Sequence, residues 1–199
     1  MSTGCVRLLA FSLALPALSG CFRNSAPPQF YMLTAVEAGQ PRATPLGTEP
    51  LVGLGPIRIP AYLDRDPIVT AVSPQEYKLS DDHRWAERLD VTLARVSAEN
   101  LSRQIPSERI VMHPWPRDTK PDFQVAIDLQ DLYVDPTGTA RLEAQWTLRF
   151  KEGRADSRRF SCRLPASATD YGLIVAAQSR CVSQLNRAIA EAIRASTRP

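Results

Sequence analysis

Histidine is the scarcest chemistry-bearing side chain in this protein: of 199 residues, only His83 and His113 carry an imidazole. His83 follows two aspartates and His113 lies in a proline-rich stretch. A Ser-His-Asp set can be drawn up on paper, but no nucleophile elbow accompanies it. Neither histidine is assigned an active-site role, and the chain is expected not to be an enzyme. No group of histidines, cysteines and acids has metal-ligand spacing, so no metal or other cofactor is expected. Gly53-Leu54-Gly55 is followed by neither the lysine nor the helix start that a phosphate loop needs. Charge of one sign is lacking too. With 24 basic and 21 acidic residues the net charge is +3, a balance that does not point to nucleic acid. No internal repeat is evident, and beyond the first twenty residues no apolar run is long enough to span a bilayer.

Those first twenty residues have a pattern of their own. Met1 to Val6 hold no acid, Arg7 supplies one positive charge, and Leu8 to Leu18 form an apolar run of 11 residues. That is too short for the roughly 20 residues of a spanning helix and fits the core of a secretory signal. The run ends in Leu18-Ser19-Gly20-Cys21, which resembles a lipobox. Small residues let a peptidase close on the backbone, and the cysteine thiol takes a diacylglyceryl group. Residues 1–20 are therefore expected to be removed, leaving Cys21 lipidated and holding the protein on a membrane. Several acyl chains, at about 0.8 kcal/mol per buried methylene, make a lasting anchor where one would not. Phe22 follows the cysteine. Aspartate there would favour retention in the inner membrane, so the outer membrane, on its periplasmic face, is the expected address.

Removing 20 of 199 residues leaves 179, which suits a single domain with a sizeable core. Cys5 departs with the signal and Cys21 is acylated, so Cys162 and Cys181 remain. In an oxidising periplasm such a pair is a disulfide candidate of structural role. Two free, buried cysteines are the alternative, since spacing does not fix geometry.

The short stretch Cys21 to Gln29 reads as a tether, and its eight residues from Phe22 reach at most about 27 Å. The domain is expected over residues 30–199. Strands are expected at Phe30–Thr34, Leu51–Pro60, Ile68–Val72, Glu76–Leu79 and Ser107–Met112. A helix is expected over about His83–Gln104, capped by Asp81 or Asp82, with Trp85, Leu89, Leu93, Val96 and Leu101 on its apolar side. Pro106 ends it. Phe123, Val125, Ile127 and Leu129 alternate with polar residues, and the phase then slips, predicting a bulge near Asp131. Ala140 to Phe150 alternate without error, and Ser157 to Leu164 complete an antiparallel meander. Tyr171–Arg194 reads as a closing amphipathic helix. The fold class is α/β: a layered sandwich with a mixed, largely antiparallel sheet packed by two long helices.

Two surfaces are candidates for contact. The segment Ile59 to Asp66 sets Tyr62 and Leu63 among charges in a proline-flanked loop, where an aromatic anchor could dock a partner. Both side chains could equally fold back onto the core. Arg141, Arg149, Arg159 and Arg163 share the outward parity of the meander, either as a basic patch or as a solvated sheet face.

Several segments together resemble a known family. Phe30-Tyr31-Met32-Leu33, then Gly55-Pro56-Ile57-Arg58-Ile59-Pro60-Ala61-Tyr62-Leu63-Asp64-Arg65, then Ile68-Val69-Thr70, Trp85-Ala86-Glu87-Arg88-Leu89 and Tyr171-Gly172-Leu173-Ile174-Val175-Ala176-Ala177 occur in that order. This order resembles the ABC-type transport auxiliary lipoproteins, a PqiC-like family of intermembrane transport lipoproteins, over nearly the whole mature chain. One departure is Arg88, where the family often has proline, which leaves the helix start less sharply defined. The resemblance implies a layered α/β sandwich and a non-enzymatic subunit of an MCE/ABC-type lipid transport system. Its implied partners are an MCE-domain protein and an inner-membrane permease, with a homo-oligomer also allowed. An outer-membrane lipoprotein that regulates cell-wall synthesis or secretion-channel assembly is the alternative.

Overall fold

A computed structural model of the chain describes residues 27–36, 49–105, 107 and 109–197. The leader, Cys21 and most of the tether lie outside the described residues. The element order is β1 (Gln29–Tyr31), β2 (Val52–Arg58), β3 (Pro67–Ala71), β4 (Tyr77–Trp85), α1 (Leu89–Gln104), β5 (Ile110–Met112), β6 (Phe123–Val134), β7 (Thr139–Phe150), β8 (Ala155–Pro165) and α2 (Tyr171–Ser196). The strands form two sheets rather than one. The larger has the order β5-β2-β6-β7-β8 and the smaller β1-β4-β3. β2 is parallel to both of its neighbours, and β1 is parallel to β4. The long antiparallel β6-β7-β8 meander makes the whole largely antiparallel.

The meander follows its alternation. Val125, Ile127, Leu129, Leu142, Trp146 and Leu148 are buried and look toward the helices, while their polar neighbours occupy the other face. The pairing of β6 with β7 shifts between Leu129 and Asp131, where the apolar phase slips. The extra residue turns Asp131 onto the outer face. α2 starts at Asp170, whose carboxylate accepts the Leu173 amide at 3.1 Å, satisfying one of the free donors of the first turn. Its Ile174, Ala177, Cys181, Leu185 and Ile189 are all fully buried, as the helical period requires. Between the helices Asn186 Nδ2 donates to Ser97 Oγ at 3.2 Å. The Arg194 guanidinium donates to the Gln104 carbonyl, one of the acceptors left open at the end of α1.

One expected boundary is corrected. His83, Arg84 and Trp85 belong to β4, and α1 begins only at Leu89. Asp81 and Asp82 lie within the strand and cap nothing. Local spacing allowed a helix through Trp85, but β4 sits between two partner strands, and the pairing of Gln29, Phe30 and Tyr31 with His83, Arg84 and Trp85 secures its backbone. Trp85 is still buried. Arg88 takes the N-cap position with φ −50° and ψ 135° and makes no side-chain cap. A proline ring fixes φ near this value. Arg88→Pro is therefore expected to shift unfolding free energy by less than about 1 kcal/mol in urea titrations, the added rigidity offsetting the lost surface ion pairs.

Two of the four outward arginines of the meander, Arg141 and Arg163, are paired with acids. Arg141 Nε lies 2.8 Å from Asp135, and Arg163 lies 4.0 Å from Glu143. Burial alone would raise the pKa of Asp135. The Thr137 hydroxyl, the Arg141 guanidinium and the amides of Thr139 and Thr137 override it and hold the carboxyl at about 2. A depressed carboxylate stabilises the fold above its unfolded pKa, and that stabilisation is lost as pH falls through the folded value. Acid titration should remove roughly 2 kcal/mol between about pH 4 and 2, and Asp135→Asn should lack this component in melts followed over the same range.

Candidate functional site

Four of the five segments quoted for the family resemblance, scattered from residue 30 to residue 177, meet at one end of the small sheet, while Ile68-Val69-Thr70 pairs farther along β4 with Lys78 and Leu79. Tyr31 pairs with Trp85 in the β1–β4 ladder, and the Ala86 amide donates to the Tyr31 carbonyl at 2.9 Å. The Trp85 amide donates to the carbonyl of Asp66 at 2.7 Å, which fastens the end of the Ile59–Asp66 loop to the strand. Arg88 lies 3.8 Å from Asp64 of that loop and 2.9 Å from Asp90. On the other side the Tyr31 ring lies 6.3 Å from Tyr171 in the first turn of α2. His83 stacks on Tyr171 with ring centres 3.8 Å apart and planes 13° from parallel. The Tyr31 hydroxyl and His83 Nδ1 are 3.1 Å apart. One strand, one loop, one helix start and one helix N-terminus are thus tied into a single junction.

The loop after β2 turns tightly, with the Leu63 amide donating to the Pro60 carbonyl at 2.9 Å. Its two apolar side chains turn inward. Leu63 is 3 % exposed and belongs to the main core. Tyr62 is half-buried and donates its hydroxyl to Asp131 Oδ1 at 2.9 Å, the residue that the β6 bulge turns outward. Burial, then the hydrogen bond to Asp131 and its negative charge, push the Tyr62 hydroxyl pKa far above the ordinary tyrosine value. Its ring lies 5.2 Å from Tyr77, which meets Tyr133 edge-on at 5.4 Å. What the loop shows to solvent is Ala61, Asp64, Arg65 and Asp66. Leu63 therefore packs rather than anchors a partner, because the turn at Pro60 directs it into the main core.

Cys162 and Cys181 form a disulfide with a sequence separation of 19. Both are buried, and the bridge fastens the edge strand β8 to the middle of α2. Gly55 sits at φ 120°, and a Cβ there would come within 2.6 Å of the His113 Cβ. The glycine lets the 113–121 loop lie against β2. His113 has its ring 5.5 Å from Trp115, far from His83. Beside this point a groove of about 380 Å³ runs between β2 and α1, lined by Ile57, Val91, Ala94, Arg95 and Met112 among others. Sequence reasoning missed it. The exposed Val91 and Met112, 45 % and 51 % accessible, were its only signal. Among the described residues no three His, Cys, Asp or Glu side chains come together to hold a metal ion, and no helix is long and apolar enough to cross a membrane.

Comparison with known proteins separates fold from sequence. The crystal structure of an uncharacterized protein superposes with a TM-score of 0.70 at 20% identity, covering 84% of this chain and 99% of that one. The crystal structure of protein XCC0632 from Xanthomonas campestris gives 0.64 at 17%, covering 81% and 92%. At these identities the likeness shows the fold alone. No curated protein matches the chain significantly. The sequence model of the ABC-type transport auxiliary lipoprotein components, however, matches residues 31–190, which takes in every segment of the junction except Phe30. The junction on which these segments converge is thus built from family sequence, and the chain belongs to the ABC-type transport auxiliary lipoprotein component family.

Proposed function

We propose that this chain is the periplasm-facing lipoprotein subunit of an MCE/ABC-type intermembrane lipid transport system. It would be held on the outer membrane by acyl chains on Cys21 and serve as a docking component without catalysis of its own. The observation that carries the reading is the family match over residues 31–190, joined to the Leu18-Ser19-Gly20-Cys21 pattern at the end of an export leader. The partners are an MCE-domain protein and an inner-membrane permease, with assembly into a homo-oligomer. Docking at the Ile59–Asp66 loop would use its exposed charges and the open edges of Tyr62 and Tyr77, since Leu63 is spent on the core.

Affinity purification of the lipidated protein from native envelopes, followed by mass spectrometry, tests this reading. Recovery of an MCE-domain protein with a permease is the expected result, and Arg65→Glu is expected to reduce that recovery while leaving the fold intact. Recovery of a cell-wall synthase or a secretion-channel component instead would overturn it.

A further inference from the structure

The strand nearest the anchor carries the most exposed aromatic residue of the described chain. Phe30 is 62 % exposed and Met32 is 41 % exposed. They lie two residues apart, so they share one side of the extended chain. Tyr31 and Leu33, between and after them, look inward, Leu33 being 1 % exposed. Nothing in the core needs Phe30 or Met32 outward, and β1 is an edge strand only three residues long. The contact of Tyr31 with Tyr171 brings the start of α2 to the same end of the molecule, where Leu173 is 55 % exposed.

From these positions we infer that Phe30 and Met32 rest on the surface of the bilayer that holds Cys21, seating the domain on its membrane rather than letting it hang free. The inference rests on the acylation of Cys21 argued above. The length of chain selects this occupant. Phe22 to Gln29 span at most about 27 Å when fully extended, so Phe30 is confined to that distance from the anchored cysteine and any slack in the chain brings it to the headgroups. An aromatic and a thioether side chain held there gain by entering the boundary between headgroups and acyl chains. Charge does not drive the contact. Arg84 stands beside Phe30 in the ladder, but Asp81 and Asp82 are exposed farther back on the same strand and offset it. The contact is apolar and indifferent to the anionic lipid content.

The test uses the full lipidated protein in vesicles of phosphatidylethanolamine and phosphatidylcholine, with and without phosphatidylglycerol, carrying brominated acyl chains. Bromine quenches indoles that reach the acyl boundary. The native chain has three tryptophans, of which Trp85 and Trp146 are buried. In Phe30→Trp one indole in four then lies at the boundary, and about a quarter of the emission is expected to be quenched beyond the wild-type level. The loss should be equal in both vesicle types. A thermal melt confirms that the variant folds. Protein that floats with the vesicles but shows no quenching beyond wild type overturns the proposal while leaving the anchor intact. Protein that stays in the supernatant overturns the acylation reading and this inference with it. Emission that shifts to the blue with rising protein concentration, without bromine quenching, would show a protein surface on Phe30 instead of lipid.

Discussion

Replacing Cys162 and Cys181 together by alanine is expected to lower the unfolding free energy by about 3 kcal/mol, the chain-entropy value for a loop of this length. For a domain of this size that is a drop in Tm of roughly 6–12 °C. The physical reason lies in the unfolded chain. The bridge closes a loop of 19 residues between β8 and α2 and removes conformations that the reduced chain regains. The position adds to the effect, because β8 is the edge of the large sheet and pairs only with β7. Without the bridge β8 is held to α2 by packing and by the Arg180 guanidinium donating to the Pro165 carbonyl at 3.3 Å. Both sulfurs are buried, so mild reductant should leave the folded protein unchanged, and reduction should proceed only once the strand opens. Differential scanning calorimetry of the double-alanine variant beside the wild type measures the loss. A shift of less than about 2 °C would mean that the native packing of β8 on α2 carries the stability without the bridge.

The second large effect concerns the loop between β2 and β3. Leu63→Ala is expected to cost between about 2 and 5 kcal/mol, the range for removing a buried leucine side chain. Tyr62→Phe should cost only about 1 kcal/mol, the net worth of one hydrogen bond, because Asp131 is partly exposed and can turn to water. Urea unfolding followed by circular dichroism separates the two, with the slope unchanged and the midpoint moved. The contrast matters for reading binding data. A polar substitution of both residues at once removes a core leucine, so loss of a partner in that variant reports unfolding and not docking. Equal, small effects for both variants would return Leu63 to the surface.

Much of the fold was legible because it rests on local periodicity. The alternation from Phe123 to Val134 and from Ala140 to Phe150 sets which side of the meander is buried, and its slip at Asp131 appears as a break in register. The stripe of Ile174, Ala177, Cys181, Leu185 and Ile189 becomes the buried face of α2. The first helix was legible only from Leu89 onward. Residues His83 to Trp85 carry spacing that suits either element, and the choice falls to β1, which lies far away in sequence, and to β3, the strand just before β4. The groove beside α1 was not legible, since it exists only where the three-residue β5 stops short of Ile57.

By itself the sequence determined the features written in contiguous residues: the apolar run that ends in Leu18-Ser19-Gly20-Cys21, the amphipathic α2, the meander and membership of a family. Each follows from a pattern that neighbouring residues complete among themselves. Tertiary structure alone decided that the strands divide into two sheets, that Leu63 packs inward while Phe30 does not, and that four separated segments meet at Tyr31, Trp85 and Tyr171. A strand's partners, and the side of a loop that finds the core, depend on backbone hydrogen bonds and apolar contacts between distant residues, and no local spacing encodes them.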